Sequence, residues 1–322
     1  LFAINEVIPG VKKYSNTEEN KIQIEDTYKL ALNSEMEITQ KITNRTMEEQ
    51  RGVEQNANTQ DIIQIDNSTN VDESLIEENN NVEEIKTNLP TEVIDSKYNV
   101  YTCELFGVKI KNESKYQFSE NDFDINNINI NKNNVLIFHT HTCESYTVSE
   151  QFKYEATGNY RTTDLNYSVS RVGDELEKYL TKFGFSVYHD KTYHDYPAYS
   201  GSYGRSLTTV KNLLKIYKDT DIVIDLHRDA IGDNTYAPKV RIGDEVGAQL
   251  MFVIGTDGSG LAHDNWKENL KFALQVQKKA NEMYPGLFKP MIVRNSRYNH
   301  HLAEGACIIE VGATGNTMEE CL

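Results

Sequence analysis

Three apolar stretches of the chain end on residues that can bind a metal ion or move a proton. The first is VLIFHTHTCESY at residues 135–146, in which four apolar residues lead into two histidines, a cysteine and a glutamate. The second ends at His227 in DLHRDA, and the third ends at Glu310 in IIEVG. Imidazole and carboxylate groups are the usual ligands of a catalytic zinc ion, which takes three protein ligands and leaves one position open. Together the stretches favour a metal-dependent hydrolytic site.

The spacing of these residues suggests a role for each. His141 and Glu144 lie three apart, so a tight turn can present both to one ion, and His227 can complete the set from a neighbouring strand. Glu310 then remains as a free carboxylate. Because a bound zinc ion lowers the pKa of its water to about 7, Glu310 is suited to act as general base and then as general acid to a leaving amine.

A hydrolytic site also needs groups that stabilise negative charge and hold the substrate. Arg228 stands in DLHRDA, and Arg294 and Arg297 lie shortly before the last apolar stretch. Any of these cations could stabilise an oxyanion. Tyr298 and Asn299, in the segment RNSRYNHH, are better suited to substrate contact than to metal binding. We therefore expect these side chains to line a substrate cleft.

Two other interpretations of the same residues remain open. Cys143 could be a nucleophile, but a thiol needs a base that an orienting group holds beside it. His139 and His141 share one face of a strand whereas Cys143 falls in the following turn, so the thiol mechanism is disfavoured. The other alternative is a polar strand end without chemistry, although Glu310 would then bury a carboxylate at a cost in free energy.

Alternating strand and helix patterns surround these residues. Apolar runs predict buried strands, and amphipathic stretches predict helices between them. Such alternation predicts an α/β fold, a mostly parallel twisted sheet with helices on both faces, with sites beyond the carboxyl ends of the strands. A short alternating stretch at 103–111 predicts an antiparallel entry. The strands are expected at 135–139, 185–190, 221–227, 248–256, 290–294 and 306–312, and the helices at 166–184, 206–219 and 264–284.

Charge is distributed unevenly along the 322 residues, which carry a net charge of −16. Residues 1–95 hold 20 acidic and 8 basic side chains, a net charge of −12, so residues 96–322 carry only −4. The acidic third has no sustained apolar face, so we expect a disordered acidic linker there, before a catalytic domain at 96–322. The acidity argues against nucleic-acid binding, which needs a basic face.

Four scattered cysteines without a CxxC pair argue against a zinc ribbon and a disulfide framework.

Several segments of the chain, among them VKIKNESKYQFS at 108–119 and TGNYRTTDLNYSVSRVGDEL at 157–176, resemble those of one known family. HTHTCESY, DLHRDA, RYNHHL and IIEVGATGNTMEE are similar to segments of the stage II sporulation protein P family, which is related to the zinc-dependent N-acetylmuramoyl-L-alanine amidases. The resemblance covers about residues 105–322. It implies an amidase-like or zinc-exopeptidase-like fold and a zinc cofactor. It also implies hydrolysis of the amide between N-acetylmuramic acid and L-alanine in peptidoglycan, with cleavage of peptide cross-links as a further activity.

The resemblance assigns roles to residues in the first half of the site. It implies that His141 rather than His139 is the first zinc ligand, which leaves His139 either to support a ligand or to face the substrate. The wider amidase family carries its glutamate ligand where this chain has Arg161-Thr-Thr-Asp164. Either Glu144 or Asp164 is therefore the carboxylate ligand.

The second half of the site follows from the same resemblance. His227 matches the third zinc ligand of the amidases, and Glu310 lies in the segment that carries their catalytic glutamate. Asn316, which follows in that segment, is expected to contact the substrate together with Arg161.

The family resemblance further implies a setting for this activity. Its members act on the cell wall during engulfment in sporulation, and the expected partners are peptidoglycan and the stage II sporulation proteins D and M. Because the chain begins at Leu1 and has no apolar run of about 20 residues, a membrane anchor is expected upstream. The anchor would hold the enzyme outside the cytoplasm at the sporulation septum and the engulfing membrane. A zinc carboxypeptidase acting on wall peptides and a non-catalytic wall-binding scaffold remain alternative functions.

Overall fold

The computed structural model describes residues 89–322, which form a mixed α/β fold. Most of the predicted acidic linker, residues 1–88, lies outside the described residues. Strand β1 spans Thr91–Val93 and therefore precedes the domain boundary predicted at residue 96. The later strands are β2 (Cys103–Leu105), β3 (Val108–Asn112), β4 (Asn134–Phe138), β5 (Ser186–His189), β6 (Thr220–Asp229), β7 (Lys239–Ile242), β8 (Glu245–Ala248), β9 (Leu250–Gly255), β10 (Met291–Arg294) and β11 (Gly305–Ala313). The α-helices in this part of the chain are α1 (Val169–Lys182), α2 (Ser202–Ile216), α3 (Trp266–Met283) and α4 (Met318–Cys321).

Eight of these strands form one sheet in the order β2-β3-β10-β9-β11-β6-β4-β5. The pairs β2–β3 and β9–β11 are antiparallel, whereas the other neighbouring pairs are parallel. The large, mostly parallel sheet predicted from the sequence is therefore confirmed, as is the antiparallel entry. The apolar runs become its central strands because both faces of such a sheet are covered.

One face of the sheet holds the larger core. Ile137 of β4 and Ile224 of β6 belong there to one apolar cluster with Leu176 of α1 and Leu270 of α3. Both helices are amphipathic, so their apolar sides are buried against the sheet while their charged sides face solvent. The alternation of strand side chains thus directs every second apolar residue to this core.

The opposite face is covered by α2 over part of its width. Leu136 of β4 and Val223 of β6 pack there with Val210 and Leu213 of α2. Helices therefore lie on both faces of the sheet, as predicted. None of the helices within residues 89–322 combines the length and the apolar character needed to cross a bilayer.

Beyond α2, the same face of the sheet carries a smaller apolar patch. Met251, Val253 and Ile308 form this patch with the partly exposed Ile292 and Tyr298, and no residue of the four helices belongs to it. The strands β9, β10 and β11 are therefore open on this side, which leaves room for a cleft.

A second, three-stranded antiparallel sheet has the order β1-β7-β8 and was not predicted. Ile242 pairs with Glu245 across the hairpin, so its loop consists of Gly243 and Asp244. Gly243 adopts a φ of 60°, a left-handed conformation that glycine accepts without strain. A Gly-Asp pair between two short alternating runs is the sequence pattern of such a hairpin.

Candidate active site

A cleft of about 520 Å³ opens over the uncovered part of the sheet and reaches the carboxyl ends of β4 and β6. His141, Glu144, His227 and Glu310 all line it, so the structure brings together the four residues to which the sequence assigns chemistry. His227 and Glu310 face each other across the parallel strands β6 and β11. His141 and Glu144 come from the turn after β4, which the N–H of Glu144 closes by donating to the carbonyl of His141 at 3.0 Å.

His227 is held between two carboxylates. Its Nε2 lies 2.7 Å from Oδ1 of Asp225, and its Nδ1 lies 3.4 Å from Oε2 of Glu144. Asp225 also accepts hydrogen bonds from the N–H and hydroxyl of Thr140, at 2.7 and 2.6 Å. Burial lowers the pKa of His227, but the two carboxylates raise it well above its ordinary value. A carboxylate such as Asp225 fixes the tautomer and orientation of a metal-binding histidine.

Glu144 is buried, and neighbouring groups compensate its charge. The N–H of Arg228 donates to Oε2 at 3.3 Å, and Nη1 of the same arginine lies 3.9 Å from Oε1. Burial raises the pKa of Glu144, but Arg228, His227 and His141 lower it to about 2. Glu144 is therefore ionised at neutral pH, the state in which a carboxylate binds metal.

His141 is positioned by an aromatic neighbour. Its ring stacks on that of Tyr199 with centroids 4.5 Å apart and planes at 8°, and its Nε2 lies 3.2 Å from the Tyr199 hydroxyl. Its Nδ1 is buried and has no hydrogen-bond partner among residues 89–322, and Oδ2 of Asp195 lies 3.9 Å from it. Burial lowers the pKa of His141, which favours the neutral imidazole that binds metal.

These donors fit a zinc ion in type and, for two of them, in spacing. Two ligands about 2.1 Å from a tetrahedral zinc ion lie about 3.4 Å apart, and Oε2 of Glu144 lies 3.4 Å from Nδ1 of His227. The buried, unpartnered Nδ1 of His141 is the third donor. No choice of ligand atoms brings His141, Glu144 and His227 all within 4.8 Å of one another, so side chains must move closer before one ion can bind all three.

Glu310 is the carboxylate that remains free in the cleft. Its Oε2 is shielded from solvent and has no hydrogen-bond partner within residues 89–322. Burial raises the pKa of Glu310 to about 8; His227 opposes this increase, whereas Asp229 and Glu144 add to it. A carboxyl group with such a pKa can accept and release a proton near neutral pH.

Arg228 borders the cleft, but its guanidinium is occupied. Its Nε donates to the carbonyl of Ser145 at 2.8 Å, and its Nη2 donates to the carbonyl of Tyr160 at 3.3 Å. With its contacts to Glu144, these bonds anchor the segment after β4 on the end of β6. Arg228 therefore positions a candidate ligand, and the prediction that it meets the substrate does not match its buried contacts.

Arg161 acts at the rim of the site and does not line the cleft. Its Nη2 lies 2.5 Å from Oδ2 of Asp195, and its guanidinium lies 5.2 Å from the centre of the Tyr199 ring. Asp195 and Tyr199 are the neighbours of His141. Arg161 thus positions the surroundings of that histidine, whereas substrate contact was predicted.

Glu144 and Asp164, the two predicted carboxylate ligands, occupy different positions. Asp164 caps a short 3-10 helix, where its side chain accepts a hydrogen bond from the N–H of Asn166 at 3.0 Å. It does not line the cleft. Glu144 is the carboxylate that lies beside His227.

His139 lies on the opposite side of the sheet from the cleft. It is fully buried, its Nδ1 lies 2.7 Å from the carbonyl of Leu226, and its Nε2 lies 2.7 Å from Nε2 of His189. Burial lowers its pKa to about 3. His139 does not line the cleft, whereas substrate contact was one of its two predicted roles. Strand β4 ends at Phe138, so the two histidines that follow no longer share a strand face.

The segment before β11 contributes two residues to the cleft. Arg294 and Tyr298 line it. Arg297 does not, since it is exposed and donates to a backbone carbonyl elsewhere. Asn299 and Asn316 are buried and bond backbone groups, so their predicted contact with substrate does not match their positions.

Cys143 is buried, and its environment opposes ionisation. Burial raises the pKa of its thiol to about 12, and Asp195 adds to this shift. Because the thiolate is the reactive form of cysteine, these surroundings argue against a nucleophilic role.

Two carboxylates of the site were not predicted from the sequence. Asp225 precedes His227 by two residues on β6, so the two side chains necessarily share a strand face. That spacing was a usable signal. Asp195 lies in a loop between β5 and α2, and only the fold brings it to His141.

Fold and cleft together define the class of protein: an α/β domain with two histidines and two glutamates at the carboxyl ends of a mostly parallel sheet. Comparison defines the family. The model of the Stage II sporulation protein P family matches residues 5–322, so the chain belongs to that family.

The chain is also similar to a curated protein that carries the name of this family. The chain is 29% identical over 199 residues to the Stage II sporulation protein P of Bacillus subtilis (strain 168), a match that covers 58% of this chain and 47% of the relative. The chain thus spans about half the length of this relative. No solved structure gives a significant match.

Proposed function

We propose that this protein is a zinc-dependent cell-wall hydrolase that cleaves the amide bond between N-acetylmuramic acid and L-alanine in peptidoglycan. The observation that carries the proposal is Glu310, whose unpartnered Oε2 shares a cleft with His141, Glu144 and His227. A carboxylate oxygen that is shielded from solvent and unpaired is unfavourable unless it has a chemical role. Membership of a sporulation family supports a substrate in the wall that is remodelled as a spore forms.

The residues of the chain supply the proton transfers and the positioning that this hydrolysis needs. A zinc ion held by His141, Glu144 and His227 would supply a Lewis acid and lower the pKa of a water molecule. Asp225 lies 2.7 Å from Nε2 of His227, an ion-pair contact without aligned hydrogen-bond geometry, and leaves Nδ1 toward Glu144. Oε2 of Glu310 takes the proton from the attacking water and then delivers it to the nitrogen of the leaving L-alanine.

The remainder of the cleft suits a junction between sugar and peptide. Met251, Val253 and Ile308 give it an apolar floor, which excludes water around the scissile amide and strengthens the electrostatic interactions there. Arg294 and Lys111 line the far side, where both contact Glu113, at 2.9 and 2.6 Å. Two cations for one anion leave positive charge for the carboxylates of a wall peptide.

The location and the partners of the enzyme belong to the same proposal. We expect a membrane anchor upstream of Leu1 that holds the domain outside the cytoplasm, at the sporulation septum and the engulfing membrane. There it would act with the stage II sporulation proteins D and M. Cleavage of peptide cross-links is a second activity expected of the same cleft.

The proposal is tested by mass spectrometry of purified peptidoglycan after digestion with the full chain. Free stem peptides that begin with L-alanine are expected, and they should disappear when a chelator is present and return when zinc is restored. Products from the Glu310→Gln protein provide the matched control, because this variant keeps the three proposed ligands.

Two other results would contradict the amidase. Products shortened only at their carboxyl ends would identify a carboxypeptidase. Wall binding that persists in Glu310→Gln, with no hydrolysis by the parent even when the stage II sporulation proteins D and M are added, would identify a scaffold.

A further inference from the structure

A second group of metal-binding side chains lies on the face of the sheet opposite the cleft. Asp174 and Glu177 project from one side of α1, three residues apart, and His189 ends β5 next to them. The ligand atoms of these three residues all lie within 4.8 Å of one another. We call this group the α1 cluster.

The imidazole of His189 is directed into the cluster. Its Nδ1 lies 3.2 Å from Oδ1 of Asp174 and 3.5 Å from Oε2 of Glu177. The His189 side chain is only 1% exposed, yet Nδ1 is aligned with neither oxygen and makes no hydrogen bond in the described chain. The two carboxylates are about one-third exposed, at 36% and 33%, so an ion can reach them from solvent.

Hydrogen bonds on the other side of the ring determine where His189 carries its proton. A carbonyl oxygen can only accept, so Nδ1 of His139 donates to Leu226 at 2.7 Å. The lone pair on Nε2 of neutral His139 then accepts from Nε2–H of His189, again at 2.7 Å. Burial lowers the pKa of His189, but Asp174 and Glu177 raise it above its ordinary value, so a proton on Nδ1 competes with a metal ion. When His189 is neutral, its remaining nitrogen, Nδ1, presents a lone pair to two carboxylates. Three such electron-rich atoms repel one another unless a cation lies between them.

Close packing of the helix makes this arrangement possible. A Cβ atom at Gly173 would lie 2.5 Å from Nε2 of His189 and 3.1 Å from Nε2 of His139. Glycine is unfavourable in a helix interior compared with alanine. Gly173, one residue before Asp174, therefore allows α1 to pack closely against the two histidine rings.

Within the described part of the chain, the ammonium group of Lys191 already contacts the cluster. Nζ of Lys191 lies within ion-pair distance of Oδ1 of Asp174. The lysine is 38% exposed, and its long flexible side chain can move into solvent. It neutralises Asp174 but does not contact Nδ1 of His189, which remains unpartnered.

We propose that Asp174, Glu177 and His189 bind one divalent transition-metal ion, such as zinc, in a structural site. Two carboxylate oxygens and one imidazole nitrogen are donors that zinc accepts, with water as the fourth ligand. The ion connects α1 to β5, and through His139 to the carbonyl of Leu226, which directly precedes His227. It thereby supports the end of β6 from behind the cleft.

Zinc content of the full chain tests the site. The protein is stripped with a chelator, dialysed against Zn²⁺ and analysed by elemental mass spectrometry, with its thermal midpoint recorded before and after loading. The double variant Asp174→Asn/Glu177→Gln is expected to bind one equivalent of zinc less than the parent and to lose most of the zinc-induced rise in midpoint. Glu175→Gln, a charge change on the same helix outside the cluster, should match the parent.

Zinc binding by the α1 cluster is expected to be independent of zinc binding in the cleft. A variant with His141→Ala and His227→Ala should retain the equivalent held by the α1 cluster. Zinc content that is the same in the parent and in Asp174→Asn/Glu177→Gln would overturn the proposal.

Lys191→Met provides a second test if the double variant fails to fold. Removal of the competing ammonium should raise the affinity for Zn²⁺ at least several-fold, as measured by competition with a chromogenic chelator. An affinity that is unchanged or lower would show that the cluster is an ion-pair network without a metal, and would overturn the proposal.

Discussion

The cleft and the α1 cluster use similar side chains on opposite faces of one sheet, but their surroundings differ. In the cleft, His227 is oriented by Asp225 and faces a cavity of about 520 Å³, and Glu310 remains free beside it. In the α1 cluster, His189 is backed by a second histidine, and Lys191 contacts one of its carboxylates. Donor atoms can therefore create a metal site on either face, whereas a reaction also needs space for substrate and an unpaired base.

The end of strand β4 separates the two regions. His139 is the first residue after the strand and turns toward α1, whereas His141 lies in the following turn and faces the cleft. Two histidines with one residue between them thus contribute to opposite faces of the sheet. A change in one region is expected to reach the other through this short segment.

The largest effect should come from the free carboxylate, which distinguishes the cleft. Glu310→Gln keeps the size of the side chain but removes the proton acceptor, so amide hydrolysis should fall by about 10²- to 10⁴-fold. Zinc content should not change. Single-turnover rates on purified peptidoglycan, with Glu282→Gln on the surface of α3 as control, measure the effect. Hydrolysis within a few-fold of the parent would remove Glu310 as the general base.

A smaller effect should follow loss of the group that orients His227. Asp225→Asn should lower the zinc affinity of the cleft by about 10- to 100-fold, because the amide no longer fixes the imidazole as a carboxylate does. Asp195→Asn should have a weaker effect, since Oδ2 of Asp195 lies 3.9 Å from His141. Titration with a competing chelator measures both affinities. Equal affinities in Asp225→Asn and the parent would contradict the orienting role.

The packing of the α1 cluster can be tested without a metal. Gly173→Ala places a methyl group against two histidine rings, so the free energy of unfolding should fall by about 1–3 kcal/mol. Gly204 of α2 has no atom within 4 Å of the corresponding Cβ position, so Gly204→Ala should leave stability unchanged or increase it by up to about 1 kcal/mol. Urea denaturation compares the two. Equal stability would show that the rings have space to move.

The smallest effect is expected at Cys143. Its buried thiol opposes ionisation, so Cys143→Ser should retain hydrolysis to within roughly threefold. The same peptidoglycan assay measures hydrolysis by Cys143→Ser, and elemental analysis measures its zinc content. A variant that keeps its zinc and is inactive would revive the thiol mechanism.

Much of the fold is predictable because the strands carry strong apolar patterns. The run at 135–139 corresponds to β4, and the run at 306–312 lies within β11. Both are buried on two faces and therefore read as continuous apolar stretches. Strands β7 and β8 were missed, since each has only four residues and one partly exposed face.

The candidate site was predictable to a different degree. Glu310 and His227 were identifiable because each interrupts or ends an apolar strand, where a polar side chain is unusual. The contacts of Arg228 and Asn316 were not, since residue type alone does not show whether a polar side chain is satisfied by backbone groups or by a substrate. Long-range contacts decide that question.

By itself, the sequence determined the strands of the large sheet, the longer helices and the four residues to which chemistry is assigned, because strand burial and side-chain chemistry are local properties. The tertiary structure alone decided that His139 turns away from His141, that Asp195 reaches the cleft, and that His189 joins Asp174 and Glu177. These contacts join residues from separate elements. The order of the strands and the packing of α1 on the sheet create them, and no spacing within one segment specifies either.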